Sequence, residues 1–431
     1  MTVTPLSQIR AAANAWQATT IARGSLDVQR QPHLRISTQK AVAQIQAAVS
    51  PDCSYRLVKA AVEAAQREIC LYIYNVSAEH MLDLLRQAKT RGVHIRLMYD
   101  VTDTRGDEQK KLEELGVELR EAPSTGGRRV FTVCHQKFAV IDEHILLLGS
   151  ANWAGTSIPL ITKPGQYKKG NREWLVRIDH EPLAHWFKHL FEADWNIPDL
   201  AMPAAIPRVE PLPPVELLVT ALAAQKPTQI FDIKQMDSAT PAQVTPILSP
   251  NNYFSLAKKL ILAARHSIEI EQQYIINAAA NSKLEALLAA LAKRKNEVQI
   301  RILVSPAYRK VGGMDNWELS MAALEAHQLK DCLRALNLDY FTHLHNKGLI
   351  FDRKQVIVSS TNWSENSISR AREAGVLIQS AEIGEYFASV FDYDWSIAWD
   401  PSILPANLPL PQQDARVVTA EFEEVHPADL V

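Results

Sequence analysis

Two short segments of this chain contain residue types whose spacing could perform chemistry. Each has a histidine, a lysine two residues later and an aspartate five residues beyond the lysine, in the sequences HQKFAVID and HNKGLIFD. The six residues are His135, Lys137, Asp142, His345, Lys347 and Asp352. Because side chains two apart on a strand face the same way, each histidine is expected to project beside its lysine.

A serine and an asparagine follow each motif, again two residues apart, after a second apolar strand. They are Ser150, Asn152, Ser360 and Asn362. We expect them at the end of a strand neighbouring the His–Lys pairs. Hydroxyl and amide groups there can donate hydrogen bonds to the oxygen atoms of a phosphate. The serines could instead donate to a neighbouring side chain or serve a purely structural turn.

These residue types suit a reaction at a phosphodiester. The negative charge of the diester repels nucleophiles, so lysines and amide donors must hold its oxygen atoms. A neutral imidazole can attack phosphorus and form a phospho-histidine. A second, protonated imidazole then gives its proton to the leaving oxygen and afterwards acts as a base on water or an alcohol. The pattern predicts two histidines acting in one site, with no metal ion and no cofactor.

Each histidine also needs a partner that determines which ring nitrogen carries the proton, and carboxylates commonly fill that role. One glutamate follows each motif: Glu173 in GNREWLV and Glu373 in RAREAGVLI. We interpret these two glutamates as the orienting groups, because they are better placed than Asp142 or Asp352.

The motifs belong to an internal repeat of roughly 200 residues. SPDCSYRLVKAAVEAAQREICLYIY and SPNNYFSLAKKLILAARHSIEIEQQ each predict a turn, an amphipathic helix and a strand. A further helix and strand lead to each motif, and both copies end on a helix with a tryptophan, in HLFEADWN and SVFDYDWS. Strands that alternate with helices predict an α/β fold of two repeated domains, each a mostly parallel sheet flanked by helices.

The repeat and the distribution of prolines divide the chain into five segments. We predict a partly helical N-terminal extension, a first domain, a proline-rich linker, a second domain and a proline-rich acidic tail, at 1–45, 46–200, 201–245, 246–400 and 401–431. A linker of that composition is expected to run extended over the surface.

Composition and charge argue against several classes of protein. The net charge of −2 disfavours a protein that coats nucleic acid through a general basic surface. The four cysteines lack CxxC spacing, so no structural zinc site is predicted. The opening residues lack the pattern of a signal peptide, and no apolar run is long enough to span a bilayer. We therefore expect a cytoplasmic protein with reduced thiols.

Both motifs, with their Ser-x-Asn sequels, resemble the HKD motif of the phospholipase D superfamily, and the resemblance covers residues 46–400. It implies that the two motifs meet at a pseudo-twofold axis in a site without a metal. It also implies that His135 is the nucleophile and His345 the general acid, and that Asp142 and Asp352 hold the fold. Tyrosyl-DNA phosphodiesterases characteristically lack these aspartates, so that subfamily is disfavoured.

Three functions are compatible with this resemblance, because superfamily members include phospholipases, phospholipid synthases and nucleases. The leading prediction, by analogy, is hydrolysis of a glycerophospholipid or transfer of its phosphatidyl group to another alcohol. A single chain would supply the complete site, and contact with a membrane would be peripheral. A nuclease or other nucleic-acid phosphodiesterase is the alternative. An inactive binding scaffold is the third.

Two basic loops bear on that choice. One lies just before the first motif and the other follows it, and together they contain Arg128, Arg129, Lys163, Lys168 and Lys169. Beside a phosphodiester site these cations could bind further phosphates, which would favour a polyanionic substrate such as nucleic acid. Otherwise such a cluster is simply a solvated loop.

Overall fold

The protein is described by a computed structural model that covers residues 26–100, 106–200, 225–276, 278–306, 310–311 and 314–403. Of the predicted N-terminal extension, residues 26–45 are described, and they contain a 3-10 helix at Val28–Arg30 and one strand. The predicted linker is described from residue 225 and the tail to residue 403. The other parts of these segments lie outside the described residues, so the segment boundaries stay a prediction.

Up to residue 200, the described chain alternates strands and helices. The strands are β1 (Gln39–Val42), β2 (Ile45–Ser50), β3 (Glu68–Ile73), β4 (His94–Tyr99), β5 (Glu118–Glu121), β6 (Lys137–Ile141), β7 (Ile145–Gly149) and β8 (Glu173–Asp179). The α-helices are α1 (Ser54–Ala64), α2 (Glu79–Thr90), α3 (Gly106–Glu114) and α4 (Glu181–Trp195). A 3-10 helix spans Gly126–Arg128.

The described residues from 225 onward repeat this order with additional short strands. The strands are β9 (Lys234–Gln235), β10 (Ala242–Ser249), β11 (Ser267–Gln272), β12 (Ile275–Ile276), β13 (Gln299–Val304), β14 (Lys310–Val311), β15 (Met314–Asp315), β16 (Leu333–Ala335), β17 (Gly348–Phe351), β18 (Gln355–Ser359), β19 (Trp363–Ser364) and β20 (Glu373–Gln379). The α-helices are α5 (Tyr253–Ala263), α6 (Lys283–Arg294), α7 (Asn316–Ala326), α8 (Glu365–Ser369) and α9 (Ala381–Ile397). Two 3-10 helices span Lys330–Cys332 and Pro401–Ile403.

The strands form two eight-stranded sheets of matching order. The first runs β5-β4-β3-β6-β7-β8-β2-β9, and the second runs β16-β13-β11-β17-β18-β20-β10-β1. The last strand of each sheet comes from the segment that precedes the opposite half, because β1 pairs with β10 and β9 pairs with β2. The two halves are therefore linked at the sheet edges as well as through the connection between them.

Both sheets are mixed, which corrects the prediction of mostly parallel sheets. Within these two sheets, the described strands pair in parallel at β3–β4–β5 and β11–β13–β16, where helices connect successive strands. The motif strand β6 is antiparallel to β7 because only residues 142–144 join them, whereas a parallel crossover needs roughly a dozen residues or more. The architecture of two repeated α/β domains is as predicted.

Helix α1 shows how the sequence forms these elements. Its buried residues Leu57, Val58, Ala61 and Val62 recur at the three- and four-residue steps of one helix face. Burying an aliphatic side chain of this size contributes roughly 1.5–3 kcal/mol, so this face holds the helix against the sheet. No helix in the described part of the chain is long and apolar enough to cross a membrane.

Backbone hydrogen bonds join the two halves in equivalent pairs. Arg172, just before β8, donates its N–H to the carbonyl oxygen of His343 (2.8 Å) and accepts from the N–H of His345 (3.1 Å). Arg372, just before β20, donates to the carbonyl two residues ahead of the first motif histidine (2.8 Å) and accepts from the N–H of that histidine (2.9 Å). This reciprocal pattern is that of a pseudo-twofold axis, and it runs through the segments that carry both histidines.

The same two arginines form buried ion pairs with the opposite half. Arg172 forms a bidentate pair with Asp394 of α9 (2.7 and 2.8 Å), and Arg372 forms one with Asp194 of α4 (2.8 and 2.9 Å). Burial by itself would lower the pKa of Arg172, but Asp394 and Asp52 raise it above its ordinary value. Removing one partner of such a pair leaves an uncompensated buried charge, at a cost of roughly 3–5 kcal/mol.

The motif aspartates lie at the far end of their strands from the histidines. The carboxylate of Asp142 accepts the backbone N–H groups of residues 66–68, each at 2.8 Å. Asp352 accepts those of residues 265–267 at 2.6–3.1 Å. Burial by itself would raise the pKa of Asp142, but these hydrogen bonds lower it below its ordinary value. Each aspartate thus holds the turn that begins a neighbouring strand, β3 in the first half and β11 in the second.

We expect Asp142→Asn to lower the free energy of unfolding by about 1–2 kcal/mol, because a neutral amide accepts these hydrogen bonds more weakly than a carboxylate. Folding lowers the pKa of Asp142. The stability that the Asp142 carboxylate gives to the folded protein is therefore fully present above the ordinary carboxyl pKa of about 4. It is lost as the pH falls through the lower pKa that this carboxyl has in the folded protein. Urea unfolding at neutral and at acid pH measures this difference.

The control is Asp107→Asn, which removes an exposed carboxylate from α3 and should differ little from wild type at either pH. Asp142→Asn and wild type should differ at neutral pH and converge in acid. An equal loss of stability at both pH values would contradict this role.

Candidate active site

The two motif histidines lie side by side in the interface between the halves. The ring centroids of His135 and His345 are 6.5 Å apart, with an angle of 74° between the ring planes. Both are buried, at 1% and 6% exposure. Each lies just before its motif strand, β6 or β17, on the extended segment that pairs with the opposite half. The pairing of the halves therefore brings the two motifs into one site.

Each histidine is oriented by the glutamate of the opposite half. Nδ1 of His135 contacts Glu373 (Oε2 at 2.9 Å) and the carbonyl oxygen of Ser360 (3.1 Å). Nδ1 of His345 contacts Oε1 of Glu173 at 2.7 Å. Burial would raise the pKa of Glu173, but His345 lowers it, with help from the nearby lysine and serine. A carboxylate on Nδ1 leaves Nε2 as the nitrogen that must perform the chemistry.

The serines of the Ser-x-Asn segments hold the glutamates. Ser150 Oγ donates to Glu173 Oε2 at 2.6 Å, and Ser360 Oγ donates to Glu373 Oε2 at 2.5 Å. Each serine also accepts a backbone N–H at 3.1 Å, from the residue after the glutamate. The serine hydroxyls therefore donate to neighbouring side chains, and phosphate binding by the serines stays a prediction.

The motif lysines lie beside the histidines, two residues along the same face. Each donates its ammonium group to the carbonyl oxygen of the preceding histidine, at 2.7 Å for Lys137 and 2.6 Å for Lys347. Lys347 also contacts Oε1 of Gln273 at 3.2 Å, whereas Lys137 lies 5.1 Å from the ring centroid of Tyr74. Both lysines are buried, so they place positive charge in a region with little water.

The asparagines of the Ser-x-Asn segments are also buried, just beyond β7 and β18. Asn152 is 2% exposed and Asn362 is 0% exposed. In each half, the backbone N–H of the residue after the asparagine is hydrogen-bonded. The N–H of Trp153 donates to the carbonyl oxygen of Asn75, and the N–H of Trp363 donates to Gln272 Oε1, each at 3.0 Å. That the two asparagines bind phosphate stays a prediction.

The first basic loop is used for packing. Arg128 is buried, and its guanidinium donates to three carbonyl oxygens at the C-terminal end of α4, residues 194–197, at 2.8–3.0 Å. A cation there stabilises the helix end. Arg129 is buried as well. The contacts of Arg128 therefore do not support its place in a substrate-binding loop.

The second basic loop is exposed and touches the opposite half. Lys163 and Lys168 are exposed, and Lys169 is half-buried. Burial lowers the pKa of Lys169 below its ordinary value. At the base of the loop, the carbonyl oxygen of Gly170 accepts the N–H of Thr342 at 2.9 Å, three residues ahead of the second motif histidine. The base of this loop thus lies against the segment that carries the second motif, and a contact of its lysines with substrate stays a prediction.

A third histidine lies beside the site. His343 is buried, its ring centroid is 6.0 Å from that of His345, and its Nδ1 contacts Ser305 Oγ at 2.6 Å. The signal in the sequence is the spacing His-x-His-x-Lys, which places His343, His345 and Lys347 on one face of an extended segment. The first half has valine at the equivalent position.

The arrangement can deliver a nucleophile and a proton to opposite sides of one small group. Two adjacent imidazoles, each with its Nδ1 on a carboxylate, supply the two reactive nitrogens, and two lysines supply positive charge. In the described ranges, no group of three or more His, Cys, Asp or Glu side chains is arranged to hold a metal ion.

Comparison with known proteins agrees with this geometry. The family described as "Cardiolipin synthase, PLD-like domain" matches the chain twice, at residues 58–195 and 257–395. The mitochondrial cardiolipin hydrolase of Canis lupus familiaris is 28% identical over 145 residues, which are 33% of this chain and 50% of that protein. The chain thus spans about half the length of the cardiolipin hydrolase it matches. A 5'-3' exonuclease of Xenopus tropicalis is 24% identical over 348 residues, 74% of this chain and 67% of that protein.

A solved structure has the same fold. Phosphatidylserine synthase from Haemophilus influenzae Rd KW20 superposes with a TM-score of 0.57 at 15% identity, covering 90% of each chain. At that identity the likeness concerns the fold alone. The two family matches together span more than half of the chain, and each contains one histidine motif and one orienting glutamate. The chain therefore belongs to the phospholipase D-like family.

Proposed function

We propose that this protein is a metal-independent phosphodiesterase that acts through a phospho-histidine, with a glycerophospholipid as its substrate. The observation that carries the proposal is the pair of adjacent buried imidazoles, 6.5 Å apart, each with its Nδ1 on a glutamate of the opposite half. Two lysines beside them supply the positive charge that a phosphodiester needs.

In the first step, Nε2 of His135 attacks phosphorus while the phosphate oxygens are held by Lys137, Lys347 and the two asparagines. The bond from phosphorus to the leaving oxygen breaks, and that oxygen takes the proton from Nε2 of His345. Glu373 stabilises the positive charge that develops on the attacking imidazole. The leaving alcohol then departs and the phosphoryl group stays on the enzyme.

In the second step, the neutral His345 removes a proton from water or from another alcohol. The resulting oxygen attacks the phospho-histidine, the phosphorus–nitrogen bond breaks, and both histidines return to their initial protonation states. With water the outcome is hydrolysis, and with an alcohol it is transfer of the phosphatidyl group. The order of roles, with His135 attacking, follows the family pattern.

Support for a lipid substrate comes from the family and its members. The description of the matching family names cardiolipin synthase, and one relative is a cardiolipin hydrolase. The net charge of −2 also suits a protein without a general nucleic-acid surface. Contact with a membrane would be peripheral, and one chain supplies both histidines.

A nuclease is the second candidate, and two observations favour it. The exonuclease relative aligns with 74% of this chain. The loop with Lys163, Lys168 and Lys169 reaches the second half near its motif and could bind phosphates on either side of the one that reacts. A scaffold without activity is the remaining alternative, although both motifs are intact.

We expect His135→Asn to lower kcat by at least about 1,000-fold, because it removes the nucleophile. His345→Asn should slow both steps on a lipid by about 100- to 10,000-fold. With bis(4-nitrophenyl) phosphate, whose leaving group needs no acid, the first step should survive and the phosphorylated enzyme should accumulate. Mass spectrometry of the protein quenched at alkaline pH would then locate phosphate or phosphatidyl mass on His135.

The matched control is the same measurement on His135→Asn, in which no adduct should form. Label on His345 in that variant would reverse the two roles. Full activity of both variants would contradict the mechanism altogether.

Substrate class is tested with wild-type protein in EDTA. We expect release of the headgroup alcohol from vesicles of phosphatidylglycerol, cardiolipin or phosphatidylcholine, and no cleavage of single- or double-stranded DNA. Cleavage of DNA with a rate that falls steeply with salt would instead identify a nuclease. In that case, alanine at Lys163, Lys168 and Lys169 should weaken DNA cleavage. Cleavage of neither lipid nor DNA would leave only the scaffold.

A further inference from the structure

The connection from the Ser-x-Asn segment to the orienting glutamate is longer in the first half than in the second. Residues 153–172 make this connection in the first half, and residues 363–372 make it in the second. The additional length belongs to the second basic loop, which comprises residues 158–170 with the sequence IPLITKPGQYKKG. This loop has three lysines and no aspartate or glutamate. The insertion therefore gives the protein a local positive charge that its net charge of −2 does not show.

The second basic loop begins and ends beside residues of the site. The segment that leads into it directly follows the Ser-x-Asn segment of the first half. Just after the loop, the N–H of Asn171 donates to the carbonyl oxygen of Thr156 at 2.8 Å, which closes its base. The carbonyl oxygen of Gly170 accepts the N–H of Thr342 at 2.9 Å, on the segment that leads to the second motif histidine. The loop thus borders the site where the two halves meet.

Hydrogen bonds hold the second basic loop in a defined conformation. Gln166 Oε1 accepts the backbone N–H groups of Thr162 (3.1 Å) and Lys163 (3.0 Å), which closes the turn 162–166. The hydroxyl of Tyr167 donates to the carbonyl oxygen of Tyr340 in the second half. Because the loop is already ordered, binding through it costs little further conformational entropy.

One large apolar side chain of this loop is turned to solvent. Leu160 is 46% exposed, whereas its neighbours Ile158 and Ile161 are buried, at 0% and 1% exposure. The two isoleucines supply the apolar anchors of the loop, and about half of the leucine surface remains in water. Moving that surface from water to an apolar environment is favourable.

Lysines accompany the exposed leucine. Lys163 and Lys168 are exposed, and Lys169 is half-buried. A fourth cation, the exposed Lys226, donates to a carbonyl oxygen of the loop at 3.4 Å and extends its positive charge. Asp339 of the second half acts on Lys169 and offsets part of this charge. The loop therefore combines an apolar side chain with an excess of positive charge.

We infer that the second basic loop docks the protein on a membrane surface with anionic headgroups, where Leu160 enters the boundary between headgroups and acyl chains. Apolar burial and attraction to anionic lipids are the two forces that hold a protein at this boundary. The inference rests on the proposed function, because a glycerophospholipid substrate lies in such a surface, but its test needs no catalysis.

The leucine distinguishes a membrane from a nucleic acid as the partner. The lysines alone would suit either, because both present many negative charges. Proteins that bind single strands place aromatic rings against the bases. The aromatic residue of this loop is Tyr167, which is half-buried with its hydroxyl on the second half. Leu160 has no ring to stack on a base, so a membrane accounts for the leucine as well as the lysines.

The test measures binding to vesicles by sedimentation. The parent protein is His135→Asn, so that no lipid is consumed. Vesicles of phosphatidylcholine are compared with vesicles in which part of the phosphatidylcholine is replaced by phosphatidylglycerol. We expect the anionic vesicles to bind about 100-fold more tightly, because each of three lysines contributes about fivefold near an anionic surface. This advantage should decrease as the salt concentration rises.

The decisive variant is Leu160→Glu. It should weaken binding to anionic vesicles by about tenfold or more, because it removes the apolar contact and adds a negative charge. Alanine at Lys163, Lys168 and Lys169 together should weaken that binding by about 100-fold.

The matched control is Leu262→Glu. Leu262 is exposed to a similar extent, at 44%, and the first half has Glu63 at the equivalent position. It lies near the end of α5, beside the turn that Asp352 holds at the far end from the histidines. The control should bind within about twofold of the parent, because an exposed substitution outside the docking surface changes little.

Two further measurements separate docking from folding and from catalysis. Thermal unfolding should be the same for Leu160→Glu and Leu262→Glu. With His135 restored, Leu160→Glu should keep kcat/KM for the water-soluble bis(4-nitrophenyl) phosphate within about twofold of wild type. Its kcat/KM for phosphatidylglycerol in vesicles should fall by about tenfold, in step with the loss of binding.

Equal binding of the parent to neutral and anionic vesicles, or equal binding of Leu160→Glu and Leu262→Glu, would overturn the docking surface. So would a lysine variant that loses DNA binding and keeps vesicle binding, because the loop would then be a nucleic-acid surface. Vesicle binding that depends on Leu160, without cleavage of any lipid by wild type, would support the docking surface and contradict the proposed function.

Discussion

The site depends on one structural constraint, the pairing of the segment before each histidine with the segment before the opposite glutamate. Reciprocal backbone hydrogen bonds of 2.8–3.1 Å hold these segments together. They set the spacing of the two imidazoles and bring Glu373 to His135 and Glu173 to His345. In the proposed mechanism one reactive nitrogen must reach phosphorus and the other the leaving oxygen bonded to it, so each must lie within about 0.5 Å of its productive position. Neither half can provide that geometry alone.

Buried ion pairs make this pairing of the two halves specific. Arg172 and Arg372 are inaccessible to water, and each forms a bidentate pair with an aspartate from the last helix of the other half. Such pairs contribute little net stability compared with apolar packing, but either partner alone would be costly. The arginines are therefore satisfied only when the halves are docked in this one register. In that register the residue after each arginine is the glutamate that orients a histidine.

Much of this architecture could be predicted from the sequence, because it is local or repeated. The helix and strand order follows from apolar spacing, and the two matching motifs define the histidines, lysines and glutamates. Pairing between distant strands was less predictable: the expected parallel sheets proved mixed, since the short connection from β6 to β7 requires an antiparallel pair. The partners of Ser150 and Arg128 could not be predicted from residue type. Ser150 donates to Glu173, 23 residues along the chain, and Arg128 donates to a carbonyl oxygen of a helix end 66 residues along.

By itself the sequence determined the chemistry that is possible, since two His-x-Lys motifs in a repeat already define paired imidazoles and cations. Only the tertiary structure decided which carboxylate serves which histidine, because the exchange between halves leaves no trace in local spacing. It also decided that one side of the site is apolar. Tyr74, Val133 and Ala371 are distant in the chain, and they form one cluster beside His135 only when the halves dock. The repeat makes the reacting groups symmetric, and the places where its two copies differ make the surroundings asymmetric.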